Sequence, residues 1–188
     1  MHGMFYDCSS LEKLNLSNFN TINVIIMRDI FNGCSSLETL DLSNFNTNNV
    51  NDMSHMFNEC SLLYELNISN FNTSNVIDMH GMFYGCTSLE KLELSSFVSN
   101  KVVSANYMFY GCSSLKKLNL SNFDIENVFE RNDMFTDCVS LKELTFLNFR
   151  TENIYDINNL NERLGKRLSI KVLELKKRDN SKDFCSCF

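Results

Sequence analysis

The residues of this chain best suited to chemistry are its thiols. Six of them, Cys8, Cys34, Cys60, Cys86, Cys112 and Cys138, stand 26 residues apart, and two more, Cys185 and Cys187, fall among the last four positions. A thiolate is a nucleophile and a metal ligand, and six in register read in a small secreted protein as a disulfide or zinc framework. Two features oppose that reading. No basic stretch followed by an apolar one opens the chain, so no secretory signal is read, and a fixed repeat explains the spacing without any chemistry. Buried packing is the expected role, because cysteine behaves as a small hydrophobe. On a side of the stack widened by helices, neighbouring thiols would also lie beyond disulfide reach. His2 and His80 share one repeat position and His55 sits beside it, without a carboxylate or serine partner at a recognisable spacing. Nothing resembles a nucleophile elbow, a phosphate-cradling glycine loop or a carboxylate pair. The chain is read as no enzyme, with no catalytic residue, metal or cofactor.

The terminal thiol reads differently. Cys185-Ser186-Cys187-Phe188 has the form of a CaaX box, in which a terminal Phe directs geranylgeranyl transfer to Cys185. Lys176, Lys177, Arg178 and Lys182 precede it and supply the second signal that a single lipid needs. Each buried methylene contributes about 0.8 kcal/mol and each basic residue at an anionic leaflet about 1 kcal/mol, so the two together hold where either alone is marginal. The charge is distributed to match. Arg163 to Phe188 carry eight Lys/Arg against three Asp/Glu, whereas the preceding 162 residues carry nine against twenty. An acidic body repels nucleic acid, and a basic end suits an anionic membrane.

The elements that must position these groups follow from the repeat. One unit reads Met-Phe-x-x-Cys-x-x-Leu-x-x-Leu-x-Leu-Ser-Asn-Phe-Asn-Thr-x-Asn-Val. Its Leu-x-Leu alternation, as in Leu40/Leu42 and Leu92/Leu94, predicts one short strand per unit with one face buried. Val50, Met53, Met56, Phe57 and Cys60 fall three or four apart, which predicts a short helical or 3₁₀ segment, N-capped by Asp52 and in the next unit by Asp78. Strands stack about 4.8 Å apart and helices about 8–10 Å, so the array should curve with its parallel sheet on the concave side. The expected fold is an α/β repeat solenoid, a curved parallel sheet with short helical or 3₁₀ segments on the convex side. Leu11, Leu14, Leu16, Phe19, Val24, Met27 and their equivalents would form its core.

Residues 1–157 are assigned to six such units, 158–175 to a capping helix and strand, and 176–188 to a basic tail. Leu160, Leu164 and Leu168 suggest the helix and Ser169 to Leu175 the strand. The chain opens inside a unit without a cap, which suggests truncation or, second, end-to-end pairing of the edge at Leu14 and Leu16 with another chain. Ala105 and Arg131 replace a repeated methionine, and an unpaired buried Arg131 would be costly, so that position should be partly open.

Leu37-Glu38-Thr39-Leu40-Asp41-Leu42 meets the leucine-rich-repeat consensus, and Phe-x-x-Cys-x-Ser-Leu-x-x-Leu-x-Leu-Ser-Asn-Phe resembles the 26-residue repeat of BspA-like surface proteins. The resemblance covers about residues 1 to 150. Between the buried leucines, Lys13, Asn15, Thr39, Asp41, Glu65, Asn67, Lys91, Glu93, Lys117 and Asn119 should project from the concave face and form a polar surface for a protein partner. The reading is a non-catalytic interaction module, prenylated and held at the cytoplasmic face of the plasma membrane. The resemblance implies the alternative, an extracellular surface antigen or adhesin.

Overall fold

The computed structural model describes residues 1–147 and 168–173. Successive 26-residue units lie side by side as coils of one β-solenoid. Each coil after the first contributes one strand: β1 (Thr39–Asp41), β2 (Glu65–Asn67), β3 (Lys91–Leu92), β4 (Lys117–Asp124), β5 (Glu143–Leu147) and β6 (Ser169–Leu173). Pairing is parallel and in register by one repeat, with Leu40 beside Leu66, Leu92 beside Leu118 and Leu118 beside Leu144. The period-2 pattern decides which side faces in: along β4 the leading residues run exposed, buried, exposed, buried. The strand expected after Leu168 is present as β6, paired with β5. The helix expected near Leu160 and Leu164, and the tail that carries Cys185, lie outside the described residues.

The strands do not make one sheet. β1 and β2 form one, β3 to β6 another. A second line of contact runs along the coils as single parallel bridges from Ile26 through Asp52, Asp78 and Ser104 to Glu130.

Opposite the strands, the structure differs from the expected helices. The 3₁₀ turn Ile125–Asn127 is the one helical element among the described residues, and it follows β4 rather than facing it. The Met-Phe-x-x-Cys stretches are tight turns instead. In coil three, Met56 N–H bonds Met53 O, Asn58 N–H bonds His55 O and Cys60 N–H bonds Phe57 O, each three residues back as in a 3₁₀ helix. Left-handed residues interrupt the run, His55 at φ 54° and Glu59 at φ 57°. They turn the intervening peptides along the stack, so that Met53, His55, Phe57 and Glu59 N–H reach Asp78, His80, Met82 and Tyr84 O at 2.7–2.9 Å. The same ladder joins the neighbouring coils. A left-handed non-glycine residue costs about 1–2 kcal/mol, and these inter-coil bonds offset that cost. Asp52 and Asp78 cap Asx turns, accepting from Ser54 and His80 N–H, rather than helices. Because backbone hydrogen bonds set the rise on this side too, the packing reason for strong curvature toward the strands is removed.

The core is a set of ladders. Phe5, Phe31, Phe57, Phe83, Phe109 and Phe135 stack with centroids 5.5–5.7 Å apart and planes within 10°. Met27, Met53, Met79 and Ala105 continue another row, all fully buried. Arg131, next in that row, is half-buried and paired, its guanidinium donating to Ile125 O at 3.2 Å and Val128 O at 2.7 Å. The expected partial opening is there, and two carbonyls at the 3₁₀ turn explain how the charge is tolerated.

Candidate interaction surface

The ten residues expected on the strand face lie on it. Lys13, Asn15, Asp41, Glu65, Asn67, Lys91, Glu93, Lys117 and Asn119 are exposed and Thr39 is half-buried. Asn15, Asp41, Asn67 and Asn119 are fixed by their own backbone, each accepting from the N–H two residues on at 2.9–3.3 Å. That bond is the chief cause of the lowered Asp41 carboxyl pKa. Lys116 meets Glu90 at 2.6 Å and Lys117 meets Glu143 at 2.8 Å, both exposed pairs between adjacent coils. Such pairs contribute about 0–1 kcal/mol and order the surface more than they stabilise it.

This face is broken twice, and sequence reasoning missed both breaks. One cleft, of about 540 Å³, separates the Lys13 to Ser17 stretch of coil one from β1. The other, about 600 Å³, separates β2 from β3 and is lined by Tyr64, Glu65, Leu66, Ser88, Glu90, Lys91 and Glu93. Leu14 and Leu66 mark the two places. Both are half-buried, whereas Leu40, Leu92, Leu118 and Leu144 of the same row are 1–3% exposed. The opposite side stays bonded at both junctions. Here, then, the strand side is the wider side of the stack, opposite to the expectation for a concave sheet.

The repeated thiols have a structural task. Cys34, Cys60, Cys86, Cys112 and Cys138 are buried, and each S–H donates to the carbonyl of the phenylalanine 29 residues earlier at 3.0–3.1 Å. The same carbonyl accepts the cysteine N–H of its own coil, as Phe31 O does from Cys34. Each thiol thus stitches one coil to the one before. Burial is the first cause that pushes Cys34 up to about 11 and Cys138 up to about 12, and it raises Cys60, Cys86 and Cys112 as well. The expectation that distance would keep the thiols apart is corrected, since the Phe rings on this side rise only 5.5–5.7 Å per coil, within the usual Cα span of a disulfide. The six cysteines are free, and no cluster of three or more metal-ligating side chains occurs among the described residues. We expect iodoacetamide at pH 8 to label Cys8, which is half-buried, well before the five interior thiols, which should react only with unfolding. Peptide mapping of the alkylated protein checks this, and prompt labelling of Cys86 would contradict the burial argument.

His55 and His80 pack edge to face at 4.8 Å, and His80 meets Tyr107 at 5.6 Å. Burial first, then His80, lowers the His55 pKa. His55 Nδ1 is buried without a hydrogen-bond partner and rests where a Cβ on Gly81 would stand, 2.7 Å away. Such an environment favours a neutral packing imidazole. Among the described residues no helix is long and apolar enough to cross a membrane.

A comparison with curated proteins returns no match. A family model described as "Mycoplasma protein of unknown function, DUF285" matches residues 1–65 and 63–167. The two matches tile the coils, and together with the solenoid they fit a BspA-like repeat protein. The chain belongs to the DUF285 family.

Proposed function

We propose that this protein is a non-catalytic interaction module that recruits a protein partner through its strand face. One observation carries the reading. At equivalent outward positions of that face the side chain changes from coil to coil, Lys13, Thr39, Glu65, Lys91, Lys117 and Glu143, while the buried rows beneath repeat Leu, Phe and Cys. A rigid framework that presents a varied polar row is how repeat proteins hold binding residues. Photo-crosslinkers placed at Asn67 and Lys117 should capture a partner in the source cell, and ones at Arg28 and Asn132 on the turn side should not. Equal capture from both sides defeats the assignment.

Membrane attachment is part of the same proposal and rests on the sequence of the tail. Geranylgeranyl transfer to Cys185, with Lys176, Lys177, Arg178 and Lys182 on the anionic leaflet, would place the module on the cytoplasmic face of the plasma membrane. The intact mass of protein from its own cell should show the prenyl group on Cys185 and loss of Ser186 to Phe188; an unmodified Phe188 terminus sinks it. The BspA-like resemblance favours a second reading, a surface antigen or adhesin outside the cell. Labelling of intact cells with an impermeant reagent separates the two.

A further inference from the structure

We propose that the cleft between β2 and β3 docks an extended peptide of a partner protein in which basic residues flank a central apolar one, an inference that rests on reading the strand face as the interaction surface. One inter-coil clamp is missing at this cleft. Asn44, Asn70 and Asn122 each send the side-chain amide back to the preceding coil, reaching Leu16 O at 3.0 Å, Ser43 O at 2.6 Å and Ser95 O at 2.6 Å. At the equivalent position coil four has Ser96, whose side chain is too short for that reach. Coils three and four remain joined on the turn side, where Phe57 N–H meets Met82 O at 2.9 Å. Among the described residues no backbone hydrogen bond joins β2 to β3.

The open edge has a definite polarity. Glu65 N–H and Asn67 O turn to the other side, toward Glu38 O and Leu42 N–H of coil two. Alternation along a strand therefore aims the N–H and C=O of Leu66 at the cleft. A peptide laid along this edge pairs with Leu66 through its backbone, as in strand addition. Its central side chain then points inward onto Leu66, which is half-buried where Leu40 and Leu92 are buried, while its flanking side chains point outward beside Glu65 and Glu93 on the two walls. Glu90 is already held by Lys116, so Glu65 and Glu93 outnumber Lys91 and leave the cleft with a net negative charge. Basic flanks and an apolar centre complement that arrangement, and the acidic body adds attraction at longer range. The cleft between coil one and β1 offers Lys13 against Asp41, a balanced pair, and serves as the internal control.

The probe is a fluorescent peptide, acetyl-Lys-Val-Lys-Val-Lys-amide, titrated into the full chain. It should bind saturably with one site. The exposed double substitution Glu65→Lys/Glu93→Lys should weaken it by roughly tenfold or more, Ser96→Asn should weaken it by rebuilding the missing clamp, and Glu59→Gln, exposed on the turn side, should leave it unchanged. Hydrogen exchange at the Leu66 amide should be fast in the free protein and slow with peptide, which distinguishes pairing from diffuse attraction. Equal binding of acetyl-Lys-Ser-Lys-Ser-Lys-amide, or indifference to the double substitution, overturns the proposal. So does tighter binding of a peptide copying residues 175–182, which would make the chain's own tail the occupant, or a dimer that the double substitution dissociates, which would make it a second copy. Absent peptide binding with strand-face crosslinks retained sinks the cleft alone; loss of both sinks the interaction surface with it.

Discussion

Phe83→Ala should lower the stability of the solenoid by about 3–5 kcal/mol and split its unfolding into two transitions. The ring is fully buried and lies between Phe57 and Phe109, with centroids at 5.5 and 5.6 Å and planes 10° and 4° from parallel. Truncation leaves a cavity in the middle of the ladder, and the neighbours cannot close it because the backbone bonds from Phe57 to Met82 and from Phe83 to Met108, both 2.9 Å, hold the coils at their rise. In a stack where each coil touches only its neighbours, one damaged coil weakens two interfaces and uncouples what lies on either side. Phe5 provides the comparison. It is half-buried and stacks on Phe31 at 5.6 Å, so Phe5→Ala should cost less than half as much and leave a single transition. Urea unfolding followed by far-ultraviolet circular dichroism measures both, and equal losses would show that the ladder does not act as a coupled unit.

The repeat and its register could be read from the cysteines and leucines alone, because a 26-residue period admits only side-by-side coils and a slip of one residue would expose every leucine. The strand row, the outward Lys13 to Asn119 set and the terminal strand at Ser169 followed from the same alternation. The helical reading of the turn side failed for a specific reason. Spacing of three and four describes Met53, Met56, Phe57 and Cys60 equally well in a helix and in a chain of 3₁₀-like turns. What separates the two is handedness. The column Gly3, Asp29, His55, Gly81, Tyr107 and Asp133 is left-handed throughout, at φ 51–58°. Glycine and aspartate recurring there, and again at Asp7, Gly33, Gly85, Gly111 and Asp137, were the available signal, since those residue types visit that region most readily. His55 and Tyr107 hid it. The clefts were harder to see: the one between β2 and β3 coincides with the loss of a side-chain clamp, whereas the one before β1 opens although Asn44 still reaches Leu16 O. Asparagine and serine at position 96 look alike as turn formers, and only the reach of the amide tells them apart.

The same blind spot covers the threonines that follow each strand, which form an internal bond across coils. Thr21, Thr47, Thr73 and Ser99 are 0–2% exposed. Thr73 Oγ1 donates to Val98 O at 2.8 Å and accepts from Val98 N–H at 2.8 Å, so one hydroxyl satisfies both backbone groups of a residue in the next coil. Thr47 does the same for Asn72 and Thr21 for Asn46. Thr73→Val keeps the shape and opens no cavity, but it strands an N–H and a C=O away from water. At about 1–3 kcal/mol for each unsatisfied group, the loss should be about 2–6 kcal/mol. Thr73→Ser retains the hydroxyl, as Ser99 does in donating to Asp124 O at 2.8 Å, and should cost about 1 kcal/mol for the missing methyl. The ranking Thr, Ser, Val therefore separates hydrogen bonding from packing, because a packing origin would rank valine above serine. Thermal and urea unfolding of the three proteins decide it, and a valine variant as stable as the serine one would mean that the backbone of Val98 finds other partners once the hydroxyl is gone.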